Sequence, residues 1–393
     1  MSINSREIIE NSPDLKRLFD DGFEVVIKYS HLLVSSVPYL DHEKRIERGT
    51  LIFPISMSTP VTISPPPDHA AFFAGNRPHY ADGTPINGII NKEETKKLAD
   101  GIVSKFLFSS NPGGKDANYD IKVRRYVDIL SNPVKEFDVN VTAQTRTVIE
   151  SEDDDSPFVY QDTNSGRAQI VTISDKLKNL KIAIVGLGGT GSCILDLVSK
   201  TPVKEIHIFD EDEFSLHNSY RSPGAPTYEQ LTKRMPKVDY HKEIYSRLHK
   251  GIIAYPERVS AENVNKLSGL DFVFLCMDPS PDKAQIIDFL IKEKIPFVDT
   301  GIDVQKNSDK LIGMVNLITV TPDYNRHIEK IPTKSGGDNE LYESNIQIIE
   351  LNMLNATSAV IRWKKYFGFY LDERNEHESC YTIGPNMITN GEI

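Results

Sequence analysis

Four glycines stand between an apolar run and a helical pattern near the middle of the chain. The apolar run is Ile182 to Val185, and the helical pattern ends before Pro202. The glycines are Gly186, Gly188, Gly189 and Gly191. Glycine permits a tight turn and a close backbone approach, and a helix N-terminus presents unpaired N–H groups to an anion. The order strand, glycine loop, helix therefore predicts a phosphate-binding site.

An acidic residue ends the strand that follows this loop. Asp210 comes after the segment Glu205 to Phe209, about 20 residues beyond the last glycine, where a carboxylate can accept a ribose hydroxyl. The loop and Asp210 also suit a nicotinamide-dependent oxidoreductase, and Gly191 alone also suits helix–strand packing without a ligand. Together they predict a nucleotide site and leave the nucleotide open.

Further polar and charged residues follow in order along the chain. They are Asp212, Asn218, Arg221, Lys237 and Asp278, the last at the end of an apolar strand pattern. Taken singly, each has a structural alternative: Asp278 can cap a helix, and Arg221 and Lys237 can be solvated surface charges. Taken together, they add two cations and a carboxylate to the predicted phosphate site.

This set resembles the ThiF/MoeB/E1 superfamily, whose members adenylate the C-terminus of ubiquitin-like proteins. The resemblance rests on the glycine loop, an Asp-x-Asp strand end, an Asn-x-x-Arg, a Pro-Lys and a late Asp, in that order within residues 160–320. It implies a Rossmann-like α/β adenylation domain with a mainly parallel sheet. It also implies ATP and Mg²⁺ as cofactors and a ubiquitin-like protein modifier as a partner.

The implied reaction needs charge neutralisation more than proton transfer. A carboxylate oxygen attacks the α-phosphorus of ATP and pyrophosphate leaves, and the nucleophile is already ionised at neutral pH. By the resemblance, Arg221 and Lys237 clamp the triphosphate. Asp278 holds Mg²⁺, which prefers carboxylate oxygens, and Asp210 holds the ribose.

Three more residues take supporting roles in the resemblance. Asp212 and Asn218 shape the nucleotide pocket. Arg167 lies where the family has an arginine that reaches into the partner subunit's ATP site, which implies a homodimer with shared sites. An E2-like or other acceptor protein would then receive the modifier.

The cysteines bear on the step after adenylation. Cys193, Cys276 and Cys380 are far apart, so neither a disulfide framework nor a cysteine-rich zinc site is expected, and the composition fits a reducing cytoplasm. MoeB-like and ThiF-like members commonly carry Cys-x-x-Cys zinc motifs, and this chain has none. We expect Cys193 to be buried packing and Cys276 to lie in the core.

A catalytic cysteine, which many E1 enzymes carry after the adenylation site, is missing from residues 301–379. Three routes stay open. The adenylate passes directly to a partner's thiol, or Cys380 acts despite its late position. In the third, a hydroxyl in the loop from Thr321 to Asn345 takes the modifier as an oxyester; the candidates are Tyr324, Thr333, Ser335, Tyr342 and Ser344.

Length, charge and hydropathy narrow the function classes. The 393 residues suffice for two domains, and a net charge of -11 argues against a nucleic-acid partner. No apolar run is long enough for a transmembrane helix, and the first residues lack the pattern of a secretory signal. We expect a cytoplasmic protein that does not bind a membrane.

The acidic run at residues 150–156 divides the chain into two predicted domains, 1–150 and 157–393. In the second, strands alternate with helices, which predicts a parallel sheet covered on both faces, and a long helix spans residues 345–367. In the first, a smaller α+β domain, short strands begin at Phe23, His31 and Gly49. Helices are predicted for Lys92 to Phe106 and for Tyr119 to Ile129.

The first domain resembles an uncharacterised domain fused to such activating domains in bacterial operons for ubiquitin-like conjugation, some of which act in defence against phage. The shared features are Gly49 to Ile52, Pro66 to His69, Gly75 and Pro78. The resemblance suggests that this domain recruits the modifier, a carrier or a target. His69 and His79 with Asp68 could hold a metal, and we favour ordinary loop structure for them.

Three functions compete at this point. The preferred one is an ATP-dependent enzyme that adenylates the C-terminus of a ubiquitin-like protein. The second is a nicotinamide-dependent oxidoreductase. The third is a non-catalytic scaffold with a degenerate adenylation fold, which the presence of Arg221, Lys237 and Asp278 disfavours.

Overall fold

A computed structural model describes residues 5–59, 61–111, 113–147, 156–160, 162, 164–165, 170–334 and 346–391. The chain divides into two compact units, one of residues 1–153 with 161–171 and one of residues 154–160 with 172–393. The acidic run at which we place the domain boundary lies outside the described residues except for Ser156.

An antiparallel sheet with helices forms the first unit. Its strands are β1 (Glu24–Lys28), β2 (His31–Leu40), β3 (Ile46–Pro54), β4 (Met57–Thr59), β5 (Thr62–Ile63), β6 (Ala70–Ala74), β7 (Ile90–Ala99) and β8 (Ile102–Ser109), and its helices are α1 (Ser5–Asn11), α2 (Pro13–Asp20) and α3 (Tyr119–Ser131). The order in the sheet is β1-β2-β3-β6-β8-β7, and β4 pairs with β5. The predicted strands at Phe23, His31 and Gly49 and the predicted helix at Tyr119 are confirmed.

The predicted helix from Lys92 to Phe106 is wrong, because this segment is the β7–β8 hairpin. The chain turns at Gly101, whose φ is +72°. Along β8 the side chains alternate between buried and exposed, which is the period of a strand. β7 is an edge strand rich in Lys and Glu, residues with high helix propensity that also keep an edge strand from pairing with other chains.

A mixed sheet with helices on both faces forms the second unit. Its elements are α4 (Val171–Ser174), β9 (Lys181–Val185), α5 (Gly189–Val198), β10 (Glu205–Phe209), α6 (Tyr228–Lys233), α7 (Lys237–Tyr245), β11 (Ile252–Tyr255), β12 (Phe272–Leu275), α8 (Pro281–Lys292), β13 (Phe297–Asn307), β14 (Lys310–Val320), α9 (Ile349–Tyr366), β15 (Glu378–Thr382) and β16 (Met387–Asn390). The order is β11-β10-β9-β12-β13-β14-β15-β16. The five strands β11, β10, β9, β12 and β13 are parallel to one another. Strands β14, β15 and β16 extend the sheet, and each is antiparallel to its neighbour.

This architecture confirms the predicted α/β domain with a mainly parallel sheet. The predicted helix near Ala261 is a short 3₁₀ turn, Val264–Leu267, and β15 and β16 were not predicted. Ile182 and Ile184 of β9 pack in a cluster with residues of α5 and α9, while Ala183 packs with residues of α8 on the other face. Because both faces of β9 are covered, its carboxyl end is held rigidly.

The strand order places a crevice at one edge of this sheet. From β9 the chain crosses to β10 on one side, and it later returns to β12 on the other side. The carboxyl ends of β9, β10 and β12 therefore meet where the direction of winding changes, which is where open α/β sheets bind ligands. None of the described helices is long and apolar enough to span a membrane.

Candidate active site

Close packing fixes the glycine loop between β9 and α5. Gly186 has a φ of +91°, and a Cβ there would lie 2.4 Å from the carbonyl oxygen of Cys276. A Cβ on Gly191 would lie 1.9 Å from the carbonyl oxygen of Gly186, and Gly191 does not line the cavity described below. These two glycines let the loop fold against the end of β12. Gly191 therefore serves helix–strand packing, the structural role that the sequence also allows for it.

Gly188 has open space where its side chain would be. A Cβ there would meet no atom within 4 Å, and the residue lines the cavity. Gly188 is also the N-cap of α5, and no side chain caps the helix. The N–H groups of the first turn of α5 therefore face a space that suits a phosphate group.

Asn352 of α9 joins the glycine loop to the segment around Arg221. It is buried, and a Cβ on Gly189 would lie 2.0 Å from its Nδ2. The Thr190 hydroxyl donates to Asn352 Oδ1 at 3.2 Å, and Asn352 Nδ2 donates to the carbonyl oxygen of Arg221 at 3.3 Å. Asn352 is not predictable from the sequence, because it stands far along the chain from the glycine loop and no local motif marks it.

Asp210 organises the loop as well as facing the cavity. Its Oδ2 accepts the backbone N–H of Leu187 at 2.7 Å, and its Oδ1 accepts that of Asp212 at 2.9 Å. The carboxylate thus fixes the turn of the glycine loop. Since it lines the cavity, its remaining acceptor capacity faces a position suited to a ribose.

Lys237 lies between two carboxylates at the start of α7. Its Nζ is 3.2 Å from Asp210 Oδ1 and 2.6 Å from Asp212 Oδ2. The Lys237 side chain is 7% exposed and lines the cavity, while that of Asp212 is 65% exposed. The alternative that Lys237 is a solvated charge on the surface is therefore wrong.

Arg221 lines the same cavity, and Asn218 supports its segment. Arg221 Nε is buried and, within the described part of the chain, has no hydrogen-bond partner. Asn218 does not line the cavity; its Oδ1 accepts the backbone N–H of Ser215 at 2.8 Å in a capping box. Asn218 thus braces the 3₁₀ turn that presents Arg221, and it would shape the pocket through that turn.

Asp278 follows β12 and faces the cavity from its exposed position. The N-cap of α8 is Ser280, whose hydroxyl accepts the backbone N–H of Lys283 at 3.2 Å, so the alternative that Asp278 caps this helix is wrong. Mg²⁺ in nucleotide sites commonly takes one or two carboxylates plus phosphate oxygens and water. One accessible carboxylate beside the glycine loop fits that requirement.

The glycine loop, Asp210, Arg221, Lys237 and Asp278 surround one cavity of about 1900 Å³. It extends beyond the glycine loop along β13 and β14 to β15, and so it is longer than a nucleotide site alone requires. A buried ion pair lies in its wall: Lys283 Nζ is 2.6 Å from Asp299 Oδ1. Burial raises the pKa of the Asp299 carboxyl to about 6, against the opposing effect of Lys283.

The ion pair between Lys283 and Asp299 was not among the predicted site residues. Two signals were available: Asp299 interrupts an apolar strand, and Lys283 stands in the first turn of α8, where a cation is unfavourable. Neither signal connects the two residues, because their contact exists only when α8 packs beside β13.

The thiols occupy two environments. Burial raises the pKa of both Cys193 and Cys276 to about 12, which keeps them protonated at neutral pH. Cys380 lines the cavity from β15, opposite Asn316 of β14. Across the sheet, four strand spacings or about 19 Å separate β15 from β9.

Several predicted residues lie outside the described residues: Arg167, Ser335, Tyr342 and Ser344. Of the other loop hydroxyls, Tyr324 stacks on His377, with ring centroids 4.3 Å apart. In the first unit, His69 contacts the Ser109 hydroxyl and His79 contacts the carbonyl oxygen of Arg77. Among the described residues, no group of three or more His, Cys, Asp or Glu side chains is arranged to hold a metal ion.

Comparison with known protein families matches residues 166–333 to the ThiF family. These residues are a ThiF family domain. Residues 13–163 match a domain of unknown function, DUF6791. The glycine loop, Asp210, Arg221, Lys237 and Asp278 all lie in the ThiF domain.

Curated relatives share part of this domain. The tRNA threonylcarbamoyladenosine dehydratase 2 of Saccharomyces cerevisiae is 23% identical over 156 residues, which are 38% of this chain and 34% of the relative. Adenylyltransferase and sulfurtransferase UBA4 of Debaryomyces hansenii is 24% identical over 207 residues, 50% of this chain and 43% of the relative. The chain spans about a third of the length of the first relatives it matches, which include UBA4 of Saccharomyces cerevisiae at 29%.

Two solved structures are similar to the chain at low sequence identity. The crystal structure of Escherichia coli MccB with ATP is 14% identical, with a TM-score of 0.47, and the match covers 59% of this chain and 72% of that one. The crystal structure of PaaA is 16% identical, with a TM-score of 0.43, and the match covers 56% and 75%.

Proposed function

We propose that the ThiF domain uses ATP to adenylate a carboxylate, and that this carboxylate is the C-terminus of a ubiquitin-like protein. The observation that carries the proposal is the convergence of the glycine loop, Arg221, Lys237 and Asp278 on one cavity. The names of the UBA4 relatives, adenylyltransferase and sulfurtransferase, support the same class of reaction.

Charge placement accounts for the reaction. The first turn of α5 and Gly188 bind the phosphates through backbone N–H groups, and Asp210 accepts a ribose hydroxyl. A substrate carboxylate oxygen attacks the α-phosphorus, the bond to the bridging oxygen breaks, and pyrophosphate leaves. Arg221 and Lys237 stabilise the negative charge on the leaving pyrophosphate.

Asp278 would bind Mg²⁺ together with the phosphate oxygens of ATP. The bound ion would neutralise phosphate charge and orient the triphosphate. The protein's own contribution is the placement of this carboxylate at the end of β12, beside the glycine loop at the end of β9.

The shape of the cavity supports a protein substrate. The nucleotide occupies the part near β9 and β10, and the cavity continues past β12 to β15. An extended chain of several residues has room there, with its terminal carboxylate directed at the glycine loop. A ubiquitin-like protein with a flexible C-terminal tail has this form.

The acyl group then passes to the thiol of an E2-like or other acceptor protein. Cys193 and Cys276 are unsuitable acceptors because both thiols are buried and protonated. Cys380 lies on β15, which is about 19 Å across the sheet from β9, the strand that leads into the glycine loop. We further propose that the enzyme is a homodimer in which Arg167 contributes to the partner's site, and that the domain at residues 1–150 recruits the modifier or its acceptor.

Two measurements separate this proposal from its alternatives. Calorimetric titration with ATP and with NAD⁺ distinguishes an adenylating site, which binds ATP, from an oxidoreductase, which binds NAD⁺. Modifier-dependent exchange of labelled pyrophosphate into ATP distinguishes an active enzyme from a scaffold. Binding of NAD⁺ without ATP, or ATP binding without exchange for any tested modifier, contradicts the proposal.

A further inference from the structure

A buried ammonium faces the cavity beyond the glycine loop. The Lys283 side chain is 2% exposed and that of Asp299 is 5% exposed, and both residues line the cavity. Lys283 belongs to the first turn of α8, and Asp299 belongs to β13. The question is what this pair does in addition to joining a helix to a strand.

The position of Lys283 is unfavourable for a purely structural cation. It is the third residue of α8, at the positive end of the helix dipole, and its charge is almost completely withdrawn from water. A single carboxylate offsets these costs within the described residues. An anion in the cavity would be attracted both by the N-terminus of α8 and by the Lys283 ammonium.

The contact between the two side chains leaves hydrogen-bonding capacity unused. Lys283 Nζ is 2.6 Å from Asp299 Oδ1, and among the described residues this carboxylate is the one ion-pair partner of the ammonium. An ammonium has three donors. The contact with Asp299 holds Lys283 in place, and the ammonium keeps donor capacity for a ligand in the cavity.

Strand order indicates which anion this is. The phosphate loop follows β9, Asp278 follows β12, and Asp299 lies on β13, one strand farther from the ribose side at β10. Lys283 therefore lies on the side of the glycine loop away from β10, beside the part of the cavity that continues along β13 and β14. In the proposed function the acyl substrate enters through this part of the cavity, and its carboxylate approaches the α-phosphorus opposite the leaving pyrophosphate.

We propose that Lys283 binds the carboxylate of the acyl substrate, and later the acyl carbonyl oxygen of the adenylate, and that Asp299 positions it. The inference rests on the proposed function, because it assigns a group within the same site. It adds a cation for the substrate to the cations assigned to the phosphates, Arg221 and Lys237.

The test uses two ligands and a paired substitution. The full-length protein is titrated calorimetrically with ATP and with glycyl-sulfamoyladenosine, a stable analogue of an acyl-adenylate. The double variant K283M/D299N removes both charges, because removing one partner alone leaves a buried unpaired charge. D299N alone keeps the cation, and thermal unfolding checks that each variant is folded.

The double variant is expected to bind the acyl analogue about tenfold or more weakly, with ATP affinity changed less than about twofold. D299N keeps the cation but loses the group that positions it, so it is expected to weaken analogue binding less than the double variant does. K283Q, which keeps much of the side-chain length, should reproduce the selective loss if the double variant does not fold. Unchanged analogue binding in the double variant or in K283Q overturns the assignment.

The two levels of inference fail in different ways. If wild-type protein binds neither ATP nor the analogue, the proposed function is wrong and the assignment of Lys283 falls with it. If wild type binds both ligands and loss of Lys283 weakens ATP as much as the analogue, the proposed function stands and only the assignment is overturned.

Discussion

The backbone N–H of Lys237 donates to the carbonyl oxygen of Asp212 at 2.8 Å, and the Lys237 ammonium lies 2.6 Å from Asp212 Oδ2. The backbone contact fixes the start of α7, and the side-chain contact directs the cation. Because the Asp212 side chain is 65% exposed and that of Asp210 only 9%, Asp212 is the partner that a phosphate can displace. Lys237 is thus prepared for a phosphate without being an unpaired buried charge.

These contacts predict that substituting Lys237 lowers the reaction rate strongly and that substituting Asp212 changes it little. Lys237→Met removes the cation and is expected to lower the rate of ATP–pyrophosphate exchange by about 100-fold or more. Asp212→Asn removes only a competing partner and should change the rate by less than about tenfold. Steady-state exchange assays on both variants test this, and equal losses would contradict the assignment.

The glycines give a matched pair of substitutions. Gly188→Ala places a methyl group in open space, so stability should be unchanged while ATP affinity falls about tenfold or more, because the methyl group enters the phosphate position. Gly191→Ala forces a Cβ against a backbone oxygen and should destabilise folding by about 1–3 kcal/mol. Urea unfolding and calorimetry measure the two effects. The reverse pattern would mean that Gly188 has no ligand.

His241 makes stability depend on pH. Burial among aromatic rings, with a smaller effect of Lys237, lowers its pKa to about 4, below the ordinary 6.5. The unfolded chain therefore binds more protons between these values, so His241 favours folding fully above about pH 6.5 and this contribution is lost as the pH falls toward 4. Asp299, with its raised pKa, contributes a slope of opposite sign.

A variant isolates the contribution of His241. Neither of its ring nitrogens has a hydrogen-bond partner among the described residues, so His241→Phe should be tolerated in the aromatic cluster. Between pH 7.5 and pH 5, wild type should lose about 2 kcal/mol more of its free energy of unfolding than the variant. Parallel losses in chemical denaturation at the two pH values would show that His241 is not responsible.

Cys380 provides a test of the transfer step. Because its strand β15 is about 19 Å across the sheet from β9, Cys380→Ala should leave exchange unchanged, and wild type should accumulate no adduct cleaved by hydroxylamine. Mass spectrometry after incubation with ATP and modifier detects such an adduct. A thioester that disappears in the variant would assign the acceptor role to Cys380.

The sequence predicted the parts of the fold that local patterns determine. The alternation after residue 157 matches the parallel strands, and α8 has the predicted bounds, Pro281–Lys292, because proline and a serine cap mark its start. The β7–β8 hairpin was mistaken for a helix because its edge strand consists of helix-forming Lys and Glu. In β7, the position at the edge of the sheet outweighs the helix propensity of these residues.

In the site, too, residues linked by local spacing were predicted, and residues brought together only by packing were not. The glycine loop, Asp210 and Lys237 were recognised because their spacing is local, and the structure brings them together. Asn352 and Asp299 required the packing of α9 and β13, which no spacing reveals. Asn218, predicted to shape the pocket, caps the turn before Arg221, where its amide oxygen accepts the backbone N–H of Ser215.

The central claim is that this site adenylates a carboxylate, and pyrophosphate exchange tests it most directly. Wild-type protein is incubated with ATP, Mg²⁺, labelled pyrophosphate and each ubiquitin-like protein of the same genome, beside Asp278→Ala. Asp288→Ala is the matched control, an exposed acid on α8 that does not line the cavity. We expect exchange that depends on one modifier, persists in the control and is lost in Asp278→Ala. Undiminished exchange in Asp278→Ala would contradict the role of that carboxylate, and no exchange in wild type with any modifier would contradict the claim itself.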